Sequence, residues 1–239
     1  MKKEKNSNRN ENLPDSEACL RKAKNTFPHL TEAELRTLFN PETIRACPKG
    51  ELLYEEGNRI KGCYFVYSGI IKIYQTSREG KMQIIRFSKE KDIFGFRSVI
   101  RHETACTSAK TFSDCILYHI PDKNLLDLLQ NNPGFAYDMV QIACKELGDA
   151  NRYLQDIAQK SVKARLAKTL WLLADEFGKE ADGTLRLNIT REELGNFIGT
   201  ATETVIRLLS DYKAEGLVES KGRKIRLLDI EKLKTVAGL

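Results

Sequence analysis

A chain of 239 residues, 41% of them hydrophobic, is long enough for two modest domains with cores of their own. Its 39 basic and 33 acidic residues leave a net charge of +6, a mild excess that suits a polyanionic partner without demanding one. No stretch approaches the roughly 18 apolar residues of a membrane span, and the start MKKEKNSNRNENL lacks the apolar core of a secretory signal, so a cytoplasmic protein with no membrane contact is expected.

In that compartment Cys19, Cys47, Cys63, Cys106, Cys115 and Cys144 are expected as reduced thiols. Their scattered spacing offers no C-x-x-C pair for zinc or redox chemistry. Residues 1–14 are Asn-rich and charged, with Leu13 the residue there to bury, and read as a disordered tail. Ser16 to Phe27 and Thr31 to Asn40 read as short helices bounded by Pro28 and Pro41, the second opened by a Thr31/Glu34 capping box.

From Ile44 the texture changes to short β-rich runs at 51–54, 63–69, 70–76, 82–88, 104–111 and 115–120. Gly50, Gly57, Gly62, Gly69, Gly80 and Gly95 punctuate them, as in an antiparallel barrel or sandwich. Ser77 to Lys81 reads as a hairpin turn in which Gly80 supplies a positive φ. Together 15–132 form a first domain with flanking helices.

After Pro121 the pattern is helical. Leu125, Leu126, Leu128 and Leu129 mark a short helix that ends at Asn131-Asn132-Pro133-Gly134, and a long helix covers 133–161. Along it Ala136, Val140, Ala143, Leu147, Ala150, Leu154, Ile157 and Ser161 alternate 4 and 3 apart, a heptad seam that calls for a second helix. Small Ala residues between larger ones would let two copies approach, so a parallel homodimer is expected.

The last domain, 162–239, opens with a helix over Val162 to Phe177, ended by Gly178, and a short strand at Leu185, Leu187 and Ile189. Next come two helices with apolar faces, Leu194/Phe197/Ile198 and Val205/Leu208/Leu209, and Gly199 between them. Thr190/Glu193 and Thr200/Glu203 both fit the S/T-x-x-E capping box. The arrangement is a helix-turn-helix, whose second helix can enter a DNA major groove. Runs at 217–220 and 224–228 then flank Lys221-Gly222-Arg223, making the motif winged. Lys221, Arg223, Lys224 and Arg226 crowd this hairpin with charge suited to phosphates.

A Gly-punctuated roll, a dimer helix and a winged helix-turn-helix, in that order, resemble the Crp/Fnr superfamily of transcription regulators over about Ile44 to Val236. The residues that carry the resemblance are GELLYEEG (50–57), YFVYSGIIKIY (64–74), DIFGF (92–96) and TREELGNFIG followed by ETV and RLL (190–209). The fold class implied is α+β: an N-terminal β-roll of the double-stranded jelly-roll, cyclic-nucleotide-binding-like type, a long dimerisation helix, and a C-terminal winged helix-turn-helix.

The resemblance implies a recognition helix over about 200–214 with Glu203 and Arg207 facing base edges, where Arg can be bidentate to guanine and a carboxylate can accept from cytosine N4. Thr202 and Ile206 stand at positions that help select the site, Ile206 against a thymine methyl. Thr190, Arg191, Thr200, Lys221, Arg223 and Lys224 are the expected backbone contacts, on a palindromic operator with a TG-containing half-site. Ala201 departs from the family's hydroxyl cap, and Thr200 is expected to take over. RNA polymerase is the further partner the resemblance implies.

Cyclic-nucleotide-binding members carry Gly-Glu and then Arg-Ser or Arg-Thr in the roll. Phe96 stands here in place of that Glu, and Glu103 in place of the phosphate-binding Arg, where its charge would repel a phosphate. The effector is therefore unidentified and not cyclic AMP in the usual manner, with Phe96, Arg97, Ser98 and Thr104 as the pocket candidates. Oxygen-sensing relatives hold an iron–sulfur cluster through clustered N-terminal cysteines, and this N-terminal segment has Cys19 alone, so no cofactor is expected. Haem ligation by His29, His102 or His119 stays open, with structural or surface histidines the expected reading, and a thiol switch between Cys106 and Cys115 is conceivable, although nothing in the sequence marks a thiol of lowered pKa.

No Ser/His/Asp set, metal-spaced His and carboxylate cluster or phosphate loop argues for an enzyme. The alternative from another class is a ligand-binding roll whose C-terminal helices contact a protein rather than DNA.

Overall fold

The structure, a computed structural model, describes residues 16–239, so the tail expected over 1–14 lies outside the described residues. Two helices open it, α1 (Ser16–Thr26) and α2 (Glu32–Leu38). The Thr31/Glu34 capping box forms at the start of α2. Eight strands follow: β1 (Ile44–Cys47), β2 (Leu52–Tyr54), β3 (Gly62–Ser68), β4 (Ile71–Thr76), β5 (Met82–Ser88), β6 (Ile93–Phe94), β7 (Ser108–Thr111) and β8 (Cys115–Pro121). Helix α3 (Phe96–Arg101) interrupts them.

They make two antiparallel sheets, β1-β8-β3-β6 and β2-β7-β4-β5, the roll that the alternating runs predict. The run expected at 104–111 is a strand only over Ser108–Thr111, because the backbone of Ala105 pairs with the turn at Gly57 and Asn58 instead. Strands β1 and β6 and helix α3 escaped the sequence reading: β1 (IRAC) has two exposed members and β6 has two residues, too short for alternation to register.

Phe27, Phe39, Phe65, Phe135 and Tyr118 pack in a chain of rings with centroids 5.1 to 6.3 Å apart, joining the opening helices to one sheet. Burial of each such ring contributes about 1.5 to 3 kcal/mol. That is why short, weakly helical segments such as α1 hold their shape.

Helix α4 (Asp122–Asn131) precedes α5 (Pro133–Gln159), the long helix that the seam predicts. The expected extension to 161 fails by two residues, because Ser161 turns extended and caps the next helix, α6 (Val162–Phe177). By internal contacts the chain divides within α5: one unit runs to Lys145 apart from Met82–Ile84, and the other takes Met82–Ile84 with Glu146–Leu239.

In the second unit α6 is followed by α7 (Arg191–Ile198), α8 (Thr202–Ala214), the hairpin β9 (Val218–Lys221) and β10 (Lys224–Leu227), and α9 (Ile230–Ala237). The strand expected at Leu185, Leu187 and Ile189 does not form. Two isolated bridges, Lys179 with Leu185 and Thr184 with Arg226, stand in its place, because the segment turns across the hairpin edge; the three apolar side chains are still buried. No helix among the described residues is long and apolar enough to cross a membrane.

Candidate nucleic-acid interface

Helix α7 begins with a reciprocal capping box: Thr190 Oγ1 accepts from the Glu193 N–H at 3.1 Å, and the Glu193 carboxylate accepts from the Thr190 N–H at 3.1 Å. It ends at Gly199, whose φ of +71° is a left-handed conformation that costs other residues about 1 kcal/mol or more. This tight stop lets α8 start three residues later. Gly195 makes the crossing close, since a Cβ there would meet the Thr200 carbonyl at 2.8 Å.

The expected Thr200/Glu203 capping box is not formed. The cap residue of α8 is Ala201, with no side-chain hydrogen bond, while the Thr200 N–H is used to close the turn on the Gly195 carbonyl at 3.0 Å. Recognition helix and expectation thus differ at the start, Thr202 rather than 200. The first N–H groups of α8 carry no side-chain cap, and such a helix start attracts anions.

Val205, Leu208, Leu209 and Tyr212 bury one face of α8. On the opposite face Glu203, Ile206, Arg207 and Ser210 are exposed, spaced 3, 1 and 3 apart in one stripe. Ile206 is 54% exposed, an unusual placement for a large aliphatic side chain. Arg207 is held only at 3.9 Å from Asp211, so its guanidinium is available to another acceptor. Thr202 is half-buried at the end of the stripe. Ser210 was missed in the sequence, although the helical period from Glu203 and Arg207 reaches it.

On the wing, Lys221 pairs in register with Lys224 across Gly222-Arg223, and all three cations are exposed. Arg226 is different: it faces Glu219 across the hairpin and donates to its carboxylate at 2.6 Å, so the wing presents three cations rather than four. Arg191 is half-buried, its Nη1 has no hydrogen-bond partner among the described residues, and burial lowers its pKa from the usual guanidinium value. The Thr190 hydroxyl is taken up by the capping box.

The effector candidates differ in burial. Phe96 is buried in the core with Phe65 and Ile93, Ser98 is buried, and Arg97 and Thr104 are exposed. Glu103 accepts from Arg101 at 2.8 Å. Rings of Tyr54, Tyr64 and Phe94 stack inside the roll, with Tyr64 and Phe94 centroids 5.4 Å apart. Among the described residues no group of three or more His, Cys, Asp or Glu is placed to hold a metal, and Cys19 and Cys63 lie in one core while Cys47 and Cys115 lie in another. His29 Nδ1 is 2.6 Å from the buried carboxylate of Asp138.

A jelly roll followed by a long helix and a winged helix-turn-helix with an exposed polar stripe on its second helix defines a two-domain transcription regulator. The cyclic nucleotide-binding domain family matches residues 44–132 and the Crp-like helix-turn-helix domain family residues 164–236. Among curated proteins, the fumarate and nitrate reduction regulatory protein of Escherichia coli is 30% identical over 215 residues, covering 87% of this chain and 84% of that one. Electron transport regulator A of Shewanella oneidensis is 29% identical over 199 residues, 82% and 79% of the two chains. Solved structures of FixK2 from Bradyrhizobium japonicum (TM-score 0.72, 23% identity, 81% and 96% covered) and of a Crp/Fnr-family regulator from Thermus thermophilus (0.72, 24%, 82% and 98%) share the fold.

The chain belongs to the Crp/Fnr family of transcription regulators, which bind DNA through this domain and are not enzymes.

Proposed function

We propose that this regulator works as a cytoplasmic homodimer that reads a palindromic, TG-containing operator, with α8 of each copy in a major groove. The observation that carries the reading is the exposed stripe Glu203–Ile206–Arg207 opposite the buried face of the same helix. That composition serves base readout: Arg207 for guanine, Glu203 for cytosine, and Ile206 for a thymine methyl. Thr202 adds a hydroxyl at the end of the stripe.

The uncapped start of α8, with Thr200 beside it, suits phosphates, as do Lys221, Arg223 and Lys224 on the wing, and Arg191 at the start of α7 is the further backbone contact. Thr190 acts through the cap that sets α7.

The dimer reading is supported by α5. Val140, Leu147 and Leu154 are 57%, 62% and 64% exposed, with Ala143 and Ala150 exposed between them and Ile157 exposed after them; Ala136, at the start, is half-buried. One helix face with this much apolar surface is covered in a stable protein, and a second copy of the same seam fits it.

The roll responds to an effector other than cyclic AMP or to none, since Phe96 is committed to the core and Glu103 to Arg101. RNA polymerase is the downstream partner. Genomic fragments selected by the purified chain should share an inverted repeat protected over about two helical turns. Recovery of fragments with no common repeat would contradict the reading.

A further inference from the structure

The end of α5 has two faces. Leu154 and Ile157 point outward, on the proposed dimer seam, while Tyr153, Asp156 and Lys160, spaced 3 and 4 apart, point inward and are partly buried. Each inward residue is bonded to a different part of the DNA-binding unit. The Tyr153 hydroxyl donates to the Phe197 carbonyl of α7 at 3.3 Å. Asp156 forms an ion pair with Lys168 of α6 and lies 3.5 Å from Lys160. Lys160 Nζ donates to the Ala237 carbonyl at the end of α9 at 2.6 Å.

Arg165 closes the set from α6. Its Nη1 donates to the carbonyl of Lys160, the residue after α5, at 2.9 Å, and its Nε to the Ile198 carbonyl in the last turn of α7 at 3.0 Å. The Asp156 and Lys168 side chains are 16% and 18% exposed, so their attraction is less screened than that of a surface pair.

Because Ser161 interrupts the helix, a bare α5–α6 joint would bend about one extended residue. The bonds span that joint. We propose that Asp156 and Arg165 are positioning residues that lock the dimer seam to the helix-turn-helix, so that this clamp fixes the separation and phase of the two reading helices. The inference rests on the dimeric, palindrome-reading function proposed above. In energetic terms the clamp prepays the ordering that simultaneous engagement of two half-sites requires.

The test uses full-length protein and the tightest duplex that wild type selects from a random library, together with the same duplex carrying one scrambled half-site. Asp156→Asn, which keeps the shape and removes the charge, should weaken binding to the intact duplex about tenfold and to the single half-site less than about twofold. Inserting one base pair between half-sites rotates one of them by roughly 35°, and wild type should lose more affinity on that duplex than the variant does. Lys168→Gln should reproduce the effect from the other partner, and Lys168→Arg should restore it.

If both duplexes weaken equally, or neither weakens, in variants that light scattering and thermal melting show to be folded dimers, the clamp does not set spacing. Should Asp156→Asn fail to fold, Lys168→Gln and the spacing series decide in its place. Wild type binding one half-site as tightly as two would instead overturn the dimer-on-palindrome reading itself.

Discussion

Tyr212, on the buried face of the reading helix, donates its hydroxyl to the backbone carbonyl of Lys163 in the first turn of α6, 2.5 Å away. The bond ties the back of α8 to α6, the helix that follows α5, and burial pushes the phenol above its ordinary value. Tyr212→Phe keeps the ring and removes the donor. It should cost about 1 kcal/mol and lower the melting midpoint of the C-terminal unit by about 4 to 8 °C. Base preference should be unchanged; a variant that melts like wild type but reads a different site would contradict the assignment of Tyr212 to the back of the helix.

In the function proposed above, Arg207 and Lys221 divide the work of recognition. Arg207→Ala should lose about 1 to 3 kcal/mol on the selected site and relax one base position. Lys221→Ala should weaken every duplex by a similar factor and reduce the salt slope by about one. Binding to a panel of single-base variants separates the two, and a change of base preference in Lys221→Ala would reverse the division between helix and wing.

Ala201 leaves the start of α8 without a side-chain cap although its backbone, at φ −69° and ψ 150°, has the extended geometry of a cap residue. Ala201→Ser should therefore raise stability by about 0.5 to 1 kcal/mol, read as a higher urea midpoint at constant slope. It should also tighten binding to any duplex, since the hydroxyl can reach a phosphate as well. An unchanged midpoint would show that the N–H groups there are satisfied in another way.

The cysteines differ in access. Cys144 is exposed, whereas Cys47, Cys63 and Cys115 are buried, and burial pushes Cys47 up to about 11 and holds Cys63 and Cys115 above the usual thiol range. Near about pH 8 iodoacetamide should modify Cys144 first and the buried thiols Cys19, Cys47, Cys63 and Cys115 only in denaturant. Folded Cys47 keeps its proton where the unfolded thiol has lost it, so its share of stability is whole below about pH 8.5 and is lost as pH rises toward the folded value. The urea midpoint of Cys47→Ser should fall less steeply over that window than that of wild type.

Much of this architecture was legible in the residues. The β-rich run MQIIRFS marked β5 to the residue, and Gly178 closed α6 where expected, because composition and helix-stop signals are local properties. What escaped depended on contacts distant in sequence. Strand β1 exists because Ile44 to Cys47 pair with Tyr118 to Cys115, some seventy residues on. Helix α9 shows buried Leu233 and Ala237 only once α6 is there to receive them.

The site divides in the same way. The family resemblance pointed to Arg207 and Glu203, and the structure places them on one exposed stripe. The cap could not: Thr200 and Glu203 have the right spacing, but the turn after Gly199 takes the Thr200 N–H, and α8 begins one residue later than the box would need. Arg226 was equally misleading, since its cross-strand partner Glu219 appears only when the hairpin register is known. The proposed clamp at Asp156 had a sequence trace in the 3 and 4 spacing of Tyr153, Asp156 and Lys160, on the side of the helix end away from the proposed seam.

Fluorescence anisotropy of the full-length chain on the selected palindromic duplex, repeated at a series of salt concentrations, tests the central claim most directly. The account predicts tight binding that falls linearly on a logarithmic salt scale, with a slope of several units from paired sets of phosphate contacts, and a much weaker response to a duplex of scrambled sequence. Binding that ignores salt, or that is equally tight on the scrambled duplex, would contradict it.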